Sequence, residues 1–525
     1  MKREPALIFW NCLTCATAYL TKFTPNTTYM RRFIILAVTI SGHFLAVAQQ
    51  KPVSNAPKTN TTTAATDKGR NISITLTPLK NCKVYLGSYY GNGKALVDST
   101  FLNDKSQGVF KGPTKLTGGI YFVVSPQLVI QFDLLMDKKQ QFSIVADTAF
   151  KDKAVITGSP DNDLYKSYAV FTGSKGMALA QMENDYRAAR SKDDSDKIRK
   201  NIVAADKELQ DYRESVIKKN PGALLSMLLT AMKRPTPPAI PVINGKADSL
   251  YPYRFVKEHY WDDVLFNDDR LLRTPFFEPK LDEYFKSMVY PDPDSIINEI
   301  KYILLSARTG KEIYPYLLTK FTNKYMNPEF MGQDKVFVYL FENFYAKGDT
   351  VLLNPASRKT ITERAYSLMT NQIGQQAPML DLTDTMGKTR QLYSINAPFT
   401  IVAFWDPNCG HCKEEIPRLD SLYKAKWKSY GVAVYSVNIY ENEIPAWKKF
   451  IHEKNLPEEW VHAYETKEAK TAVEKAGKPN FRQLYDIYKT PTIYLLDKDK
   501  HIIAKQLSLT QFDDLIEAKR KSLKK

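Results

Sequence analysis

The chain has 525 residues, 43% of them hydrophobic and 25% charged, which gives room for roughly three domains with ordinary cores and excludes a globally disordered chain. Its 74 Lys and Arg against 57 Asp and Glu leave a formal charge of +17. Those charges are interleaved along most of the sequence, with one dense cluster in the terminal "KRKSLKK". Nucleic-acid binding needs basic residues gathered on one element, so no nucleic-acid partner is expected.

Taken in chain order, the first signal is "MRRFIILAVTISGHFLAVAQQ", beginning at Met30. Two arginines precede an apolar run from Phe33 to Leu45, and Ala46-Val47-Ala48 supplies the small-x-small pattern of a cleavage site. The run is too short to span a bilayer comfortably. Residues 30–48 therefore read as a signal peptide, and residues 1–29 as an upstream start with no part in the mature protein. Cys12 and Cys15 fall before the cleavage site, so the mature chain keeps Cys82, Cys409 and Cys412. Three cysteines make no structural disulfide framework. Cys82 alternates with Val84 and Leu86 and reads as a small core-facing hydrophobe.

Residues 49–70 are rich in Thr, Asn, Lys and Ala and read as a flexible linker. From 71 to 170, short runs such as "ISITLTPL", "KVYLGSYYG", "GIYFVV" and "QFSIVAD" alternate with turn residues, which predicts an antiparallel sandwich or small barrel. Helical spacing dominates 173–370. Ile198, Ile202, Ala205, Leu209, Tyr212 and Val216 recur at steps of three and four, a seam for an intrachain helical hairpin or for self-association. Asp262, Asp263, Asp268 and Asp269 lack the glycine and closing Glu of a calcium loop and read as caps and solvated faces.

Residues 374–525 have α/β character, with strand-like "PFTIVAFW", "VAVYSVNI" and "TPTIYLLD" between amphipathic stretches. The chemistry concentrates in "FWDPNCGHCKEEIP", Phe404 to Pro417. Cys409 follows a strand and a short turn and sits where a helix should start. Unpaired backbone N–H groups and the helix dipole there favour a thiolate, with His411 and Lys413 adding positive charge. Cys412 lies one helical turn on. Cys409 is expected to attack a partner disulfide and Cys412 to resolve the mixed disulfide.

Phe404-Trp405-x-x-x-Cys409-x-x-Cys412-x-x-Glu415-x-Pro417 resembles the active-site motif of the thioredoxin superfamily, in particular its TlpA/ResA-like exported branch. Gly374-x-x-Ala377-Pro378-x-Leu380-x-Leu382 resembles the opening hairpin of that branch and of peroxiredoxins, and "YKTPTIYLLDKDKHII" resembles the segment carrying the family's cis-proline. The resemblance covers about 150 residues. It implies a multidomain fold class: a C-terminal α/β thioredoxin-like fold preceded by an all-β, sandwich-like domain and a mainly α-helical domain. Those two resemble envelope domains without assigned chemistry.

The resemblance also implies site roles. Thr490 and Pro491 hold the substrate backbone beside Trp405, and Glu415 tunes the titration of the cysteines, because Ala403 stands where thioredoxins carry a buried Asp. Gly410-His411 matches the disulfide isomerases, where His stabilises the thiolate. That places the couple between about −270 mV for thioredoxin and about −180 mV for disulfide isomerase, nearer the second. Expected partners are client proteins with thiols or disulfides and a membrane electron-transfer partner, in the periplasm or peripheral on the cell envelope.

No cofactor or metal is expected. Zinc needs four ligands, the mature chain has one Cys-x-x-Cys pair, and His452 and His462 read as surface residues on helical stretches. Covalent haem needs His where Lys413 stands. A peroxidase would need a Pro-x-x-x-Thr-x-x-Cys stretch. An envelope binding protein, in which the β and helical domains recognise a ligand and the redox module is accessory, stays open as the alternative.

Overall fold

The computed structural model describes residues 69–150, 153–349, 353–440 and 442–523. The expected start-site segment 1–29, the signal peptide 30–48 and nearly all of the 49–70 linker lie outside them. The chain forms two compact units, one reaching to Tyr284 and one from Phe285 onward. The helical stretch read as one body is thus shared between them.

In the first unit the strands are β1 (Arg70–Thr77), β2 (Cys82–Tyr90), β3 (Gly93–Leu102), β4 (Gln107–Gly112), β5 (Gly119–Val124), β6 (Ile130–Met136), β7 (Gln141–Asp147) and β8 (Val155–Thr157). They make two four-stranded sheets, β4-β1-β7-β8 and β3-β2-β5-β6. Period-two burial explains the sandwich: Ile72, Ile74 and Leu76 of β1 meet Val84, Leu86, Tyr121 and Leu134 of the facing sheet. Cys82 packs at the margin of this core. The sandwich is not wholly antiparallel, because β1 pairs with β7 in parallel, Ile72 opposite Phe142. The outer face of β5 is covered too. Phe122 lies over Gly87, where an added Cβ would stand 2.2 Å from the ring.

Helices α1 (Pro160–Ala188), α2 (Lys192–Lys219), α3 (Leu224–Ala231), α4 (Tyr251–Glu258) and α5 (Phe277–Ser287) follow, with a two-residue hairpin pair β9 (Val242–Ile243) and β10 (Lys246–Ala247) before α4. Asn162 anchors α1 to β6: its Oδ1 accepts from Leu135 N–H and its Nδ2 donates to Leu135 C=O, both at 2.8 Å. The α2 seam closes on α1, with Ile202 and Leu209 packed against Leu179, and Tyr212 stacked on Phe171 at 3.8 Å. That seam is filled within the chain by the intrachain helical hairpin.

The second unit begins with α6 (Pro293–Ser306), α7 (Ile313–Met326), α8 (Asp334–Asn343) and α9 (Pro355–Met369). Next come β11 (Asp381–Asp384), β12 (Thr389–Gln391), β13 (Phe399–Trp405), α10 (Gly410–Ala425), β14 (Val432–Asn438), α11 (Ile444–Glu453), β15 (Val461–Tyr464), α12 (Lys467–Lys475), α13 (Phe481–Leu484), β16 (Thr492–Asp497), β17 (Ile502–Lys505) and α14 (Leu509–Leu523). Their seven strands form one sheet in the order β12-β11-β15-β14-β13-β16-β17. β13 pairs in parallel with β14 and antiparallel with β16. Both of its faces are buried: Val402 and Phe404 enter one core with Tyr485 and Tyr494, while Ile401 and Ala403 enter the other with Leu419, Trp427 and Phe512. A strand covered on both sides reads as a continuous apolar run, as "FTIVAFW" does.

Helices α8 and α9 are tied to this sheet by buried polar groups. Lys505 Nζ donates to the Asp334 carboxylate at 2.6 Å, to Asn371 C=O at 2.9 Å and to Asn371 Oδ1 at 2.7 Å. Burial holds this ammonium below the usual lysine range, and Asp334 opposes that shift. A buried cation survives because every proton it carries has an acceptor.

Candidate active site

The two cysteines stand where the central strand ends. β13 finishes at Trp405, Asp406 makes the turn by accepting from Asn408 N–H through its carboxylate and from Cys409 N–H through its carbonyl, and α10 starts at Gly410 with Cys409 as its N-cap. An N-cap residue faces backbone N–H groups with no partner inside the helix. Cys409 is half-buried, Cys412 is fully buried one turn on, and both thiols are free.

Their surroundings pull the two thiols apart. Partial burial would raise Cys409. The Thr490 hydroxyl, the Cys412 N–H and thiol, and the His411 N–H offset this and hold it below the ordinary thiol value. Burial pushes the Cys412 thiol up to about 12. One sulfur is therefore poised as thiolate and the other is held as a protonated reserve.

Opposite them, the Thr490–Pro491 peptide is cis, as the resemblance implies. Cys409 Sγ lies 3.5 Å from the Thr490 carbonyl oxygen. Thr490 and Pro491 are half-buried, while His411 is exposed, so what the geometry shows of His411 at Cys409 is its backbone N–H. Glu415 lies one turn beyond Cys412, and its half-buried carboxylate pairs with Arg418.

Two expectations need correction. Trp405 is completely buried, donates from Nε1 to Ser436 Oγ at 2.8 Å and packs with Cys412, Ile416, Trp447 and Phe450. It is the floor under the cysteines and cannot touch substrate. His462 is no surface residue: it lies buried on β15, 6.4 Å from the Trp447 ring and 5.8 Å from the Trp460 ring. Burial lowers its pKa to about 4.

Asn408, directly before the first cysteine, stands where the family usually carries an aromatic residue; its Nδ2 donates to the Glu443 carboxylate at 2.7 Å and ties the Cys409 turn to the start of α11, a contact that the sequence does not announce.

A strand, turn and helix carrying two thiols opposite a cis-proline define the thioredoxin-like class. The family model described as "AhpC/TSA family" matches residues 373–505, and two models of domains of unknown function match residues 197–365 (DUF5106) and 71–165 (DUF4369). Among curated proteins, the thiol-disulfide oxidoreductase ResA of Bacillus cereus is 30% identical over 134 residues, 26% of this chain and 69% of that protein. The ResA of Bacillus subtilis is 37% identical over 71 residues, 14% of this chain and 39% of that protein. Among solved structures, a domain described as a possible thiol-disulfide isomerase from Cytophaga hutchinsonii is 38% identical, covering 29% of this chain and 95% of that one, with a TM-score of 0.25. A thioredoxin-like protein from Bacteroides caccae is 23% identical, covering 55% of this chain and 99% of that one, with a TM-score of 0.42. The chain belongs to the ResA family of thiol-disulfide oxidoreductases.

Proposed function

We propose that this protein is exported to the periplasm and exchanges disulfides with client proteins through the Cys409-Gly410-His411-Cys412 couple. The observation that carries the reading is the pair of free thiols at the start of α10 opposite the cis Thr490–Pro491 peptide, Cys409 half-buried at the N-cap and Cys412 fully buried one turn on. The apolar run after Met30, closed by Ala46-Val47-Ala48, supports export. No helix among the described residues is long and apolar enough to cross a membrane.

In the reducing direction the Cys409 thiolate attacks one sulfur of a client disulfide. A Cys409–client disulfide forms and the client's other sulfur leaves as a thiolate. Cys412, once deprotonated, attacks the Cys409 sulfur and the second client sulfur leaves. Two electrons pass to the client, which takes up two protons, and Cys409–Cys412 remains as the disulfide. Glu415 relays the proton that Cys412 must lose, and Thr490-Pro491 line the client backbone. A membrane electron-transfer partner restores the dithiol. The same steps reversed oxidise a client dithiol.

The test is the equilibrium of the Cys409–Cys412 couple in graded glutathione buffers, read by alkylation mass with Cys409→Ser as control. A midpoint near about −270 mV makes it a reductant, and one near about −180 mV an oxidase or isomerase. Absence of a reversible couple overturns the reading.

A further inference from the structure

The segment that carries Thr490 and Pro491 is not held by the redox module alone. It begins at α13, a single turn of helix whose last carbonyls are left to the residues that follow, Gln483 C=O accepting from Asp486 N–H at 3.3 Å. Three side chains from the end of α9 and the residues just after it add further donors. Ser367 Oγ donates to Gln483 C=O at 2.6 Å, while Thr370 Oγ1 and Asn371 Nδ2 both donate to Leu484 C=O at 2.8 Å.

The next residues carry a charge that also needs a partner. Asp486 has a left-handed backbone, with φ of 50°, and its side chain is 1% exposed. Arg364, on the middle of α9, pairs with this carboxylate, and Ser367 Oγ, whose single proton is shared between the Gln483 carbonyl and the carboxylate, lies 3.1 Å from it. The Arg364 guanidinium also lies 4.8 Å from the ring centroid of Tyr488. Thr490 follows two residues later and meets Cys409.

We infer that Arg364 and Ser367, with Thr370 and Asn371 beside them, are positioning residues for the redox site, fixing the 483–488 segment and through it Thr490 against Cys409. Arg364 lies within the match to the domain of unknown function, which ends at residue 365, and the redox module's own match starts at 373. The inference gives the end of the helical segment a task in disulfide exchange. It rests on the reading of Cys409 and Cys412 as the exchanging couple.

The test uses the full chain with Arg364→Met, Ser367→Ala and the double variant R364M/D486N, against Lys359→Met on the exposed side of the same helix. Two quantities are read: the pH dependence of Cys409 alkylation, and kcat and KM for reduction of insulin disulfides. R364M/D486N removes both charges, leaving no unpaired carboxylate in the interior, so it decides the matter if Arg364→Met does not fold. The expected result is a fall of roughly ten- to a hundredfold in kcat/KM, together with a Cys409 alkylation midpoint moved up toward that of a free thiol, while Lys359→Met matches the parent. A folded R364M/D486N with unchanged midpoint and kinetics overturns the inference and leaves the couple intact. A parent chain that forms no reversible Cys409–Cys412 disulfide overturns the reading beneath it.

Discussion

Cys409 Sγ and the Thr490 carbonyl oxygen meet at 3.5 Å across 81 residues of sequence. The contact joins the start of α10 to the cis-proline segment, so the nucleophile and the surface expected to receive its substrate are held by one another. An extended client backbone laid along Thr490-Pro491 would bring its disulfide to the half-exposed sulfur, with Cys412 shielded behind it.

Alkylation should therefore separate the two thiols. With Cys409 held below the ordinary thiol value and Cys412 pushed up to about 12, the thiolate at neutral pH is carried by Cys409. Brief iodoacetamide treatment should label Cys409 alone in the native protein. Cys412→Ser should accumulate a client joined to Cys409 and Cys409→Ser should accumulate none, as judged on non-reducing gels. Equal labelling of both thiols would contradict the asymmetry.

Acid should destabilise the redox module through His462. Its pKa falls from 6.5 to about 4 on folding, so the native state keeps it neutral while the unfolded chain protonates it. Stability is full above pH 6.5 and declines as the pH falls toward 4, by roughly 3 kcal/mol in total. His462→Leu should flatten the pH dependence of the denaturant midpoint across that window.

Glu415→Gln tests the proton relay. The carboxylate pairs with Arg418, whose side chain is 63% exposed, and such surface pairs are worth about 0–1 kcal/mol. The thermal midpoint should barely move, while the resolving step slows by several-fold and its pH profile shifts. Stopped-flow decay of the Cys409 mixed disulfide reads that step directly.

Gly87→Ala addresses the sandwich. The new methyl would stand 2.2 Å from the Phe122 ring, and overpacking of this kind costs about 1–3 kcal/mol. A calorimetric transition shifted to lower temperature, with the Cys409–Cys412 midpoint potential unchanged, is the expected outcome.

The cysteine half of the site was legible because it is local: eight consecutive residues, Asp406 to Lys413, encode turn, cap and nucleophile by spacing. The cis-proline was legible by resemblance. Contacts between distant segments were not. Nothing near Arg364 announces Asp486, 122 residues away, since a lone Arg on an amphipathic helix usually faces water. β3 was missed because it is an edge strand whose first four residues are exposed and whose next four are half-buried, which erases the alternation that marks a strand. His462 was misread because β15 has four residues, too few for either periodicity to show. Trp405 was given to the substrate because its neighbours in sequence serve the reaction, whereas β13 is covered on both faces and buries its ring with the rest of the strand.

The ties from Arg364, Ser367, Thr370 and Asn371 bear on how the redox module is dissected. Excision at residue 373, where its family match begins, discards all four, together with the Asp334 carboxylate that Lys505 holds at 2.6 Å. The Leu484 carbonyl would turn to water, the Gln483 carbonyl would keep Asp486 N–H but lose the Ser367 hydroxyl, and Asp486 and Lys505 would become surface charges. A potential or rate measured on such a fragment would describe a module released from its brace, and the difference from the intact chain would measure what the brace contributes.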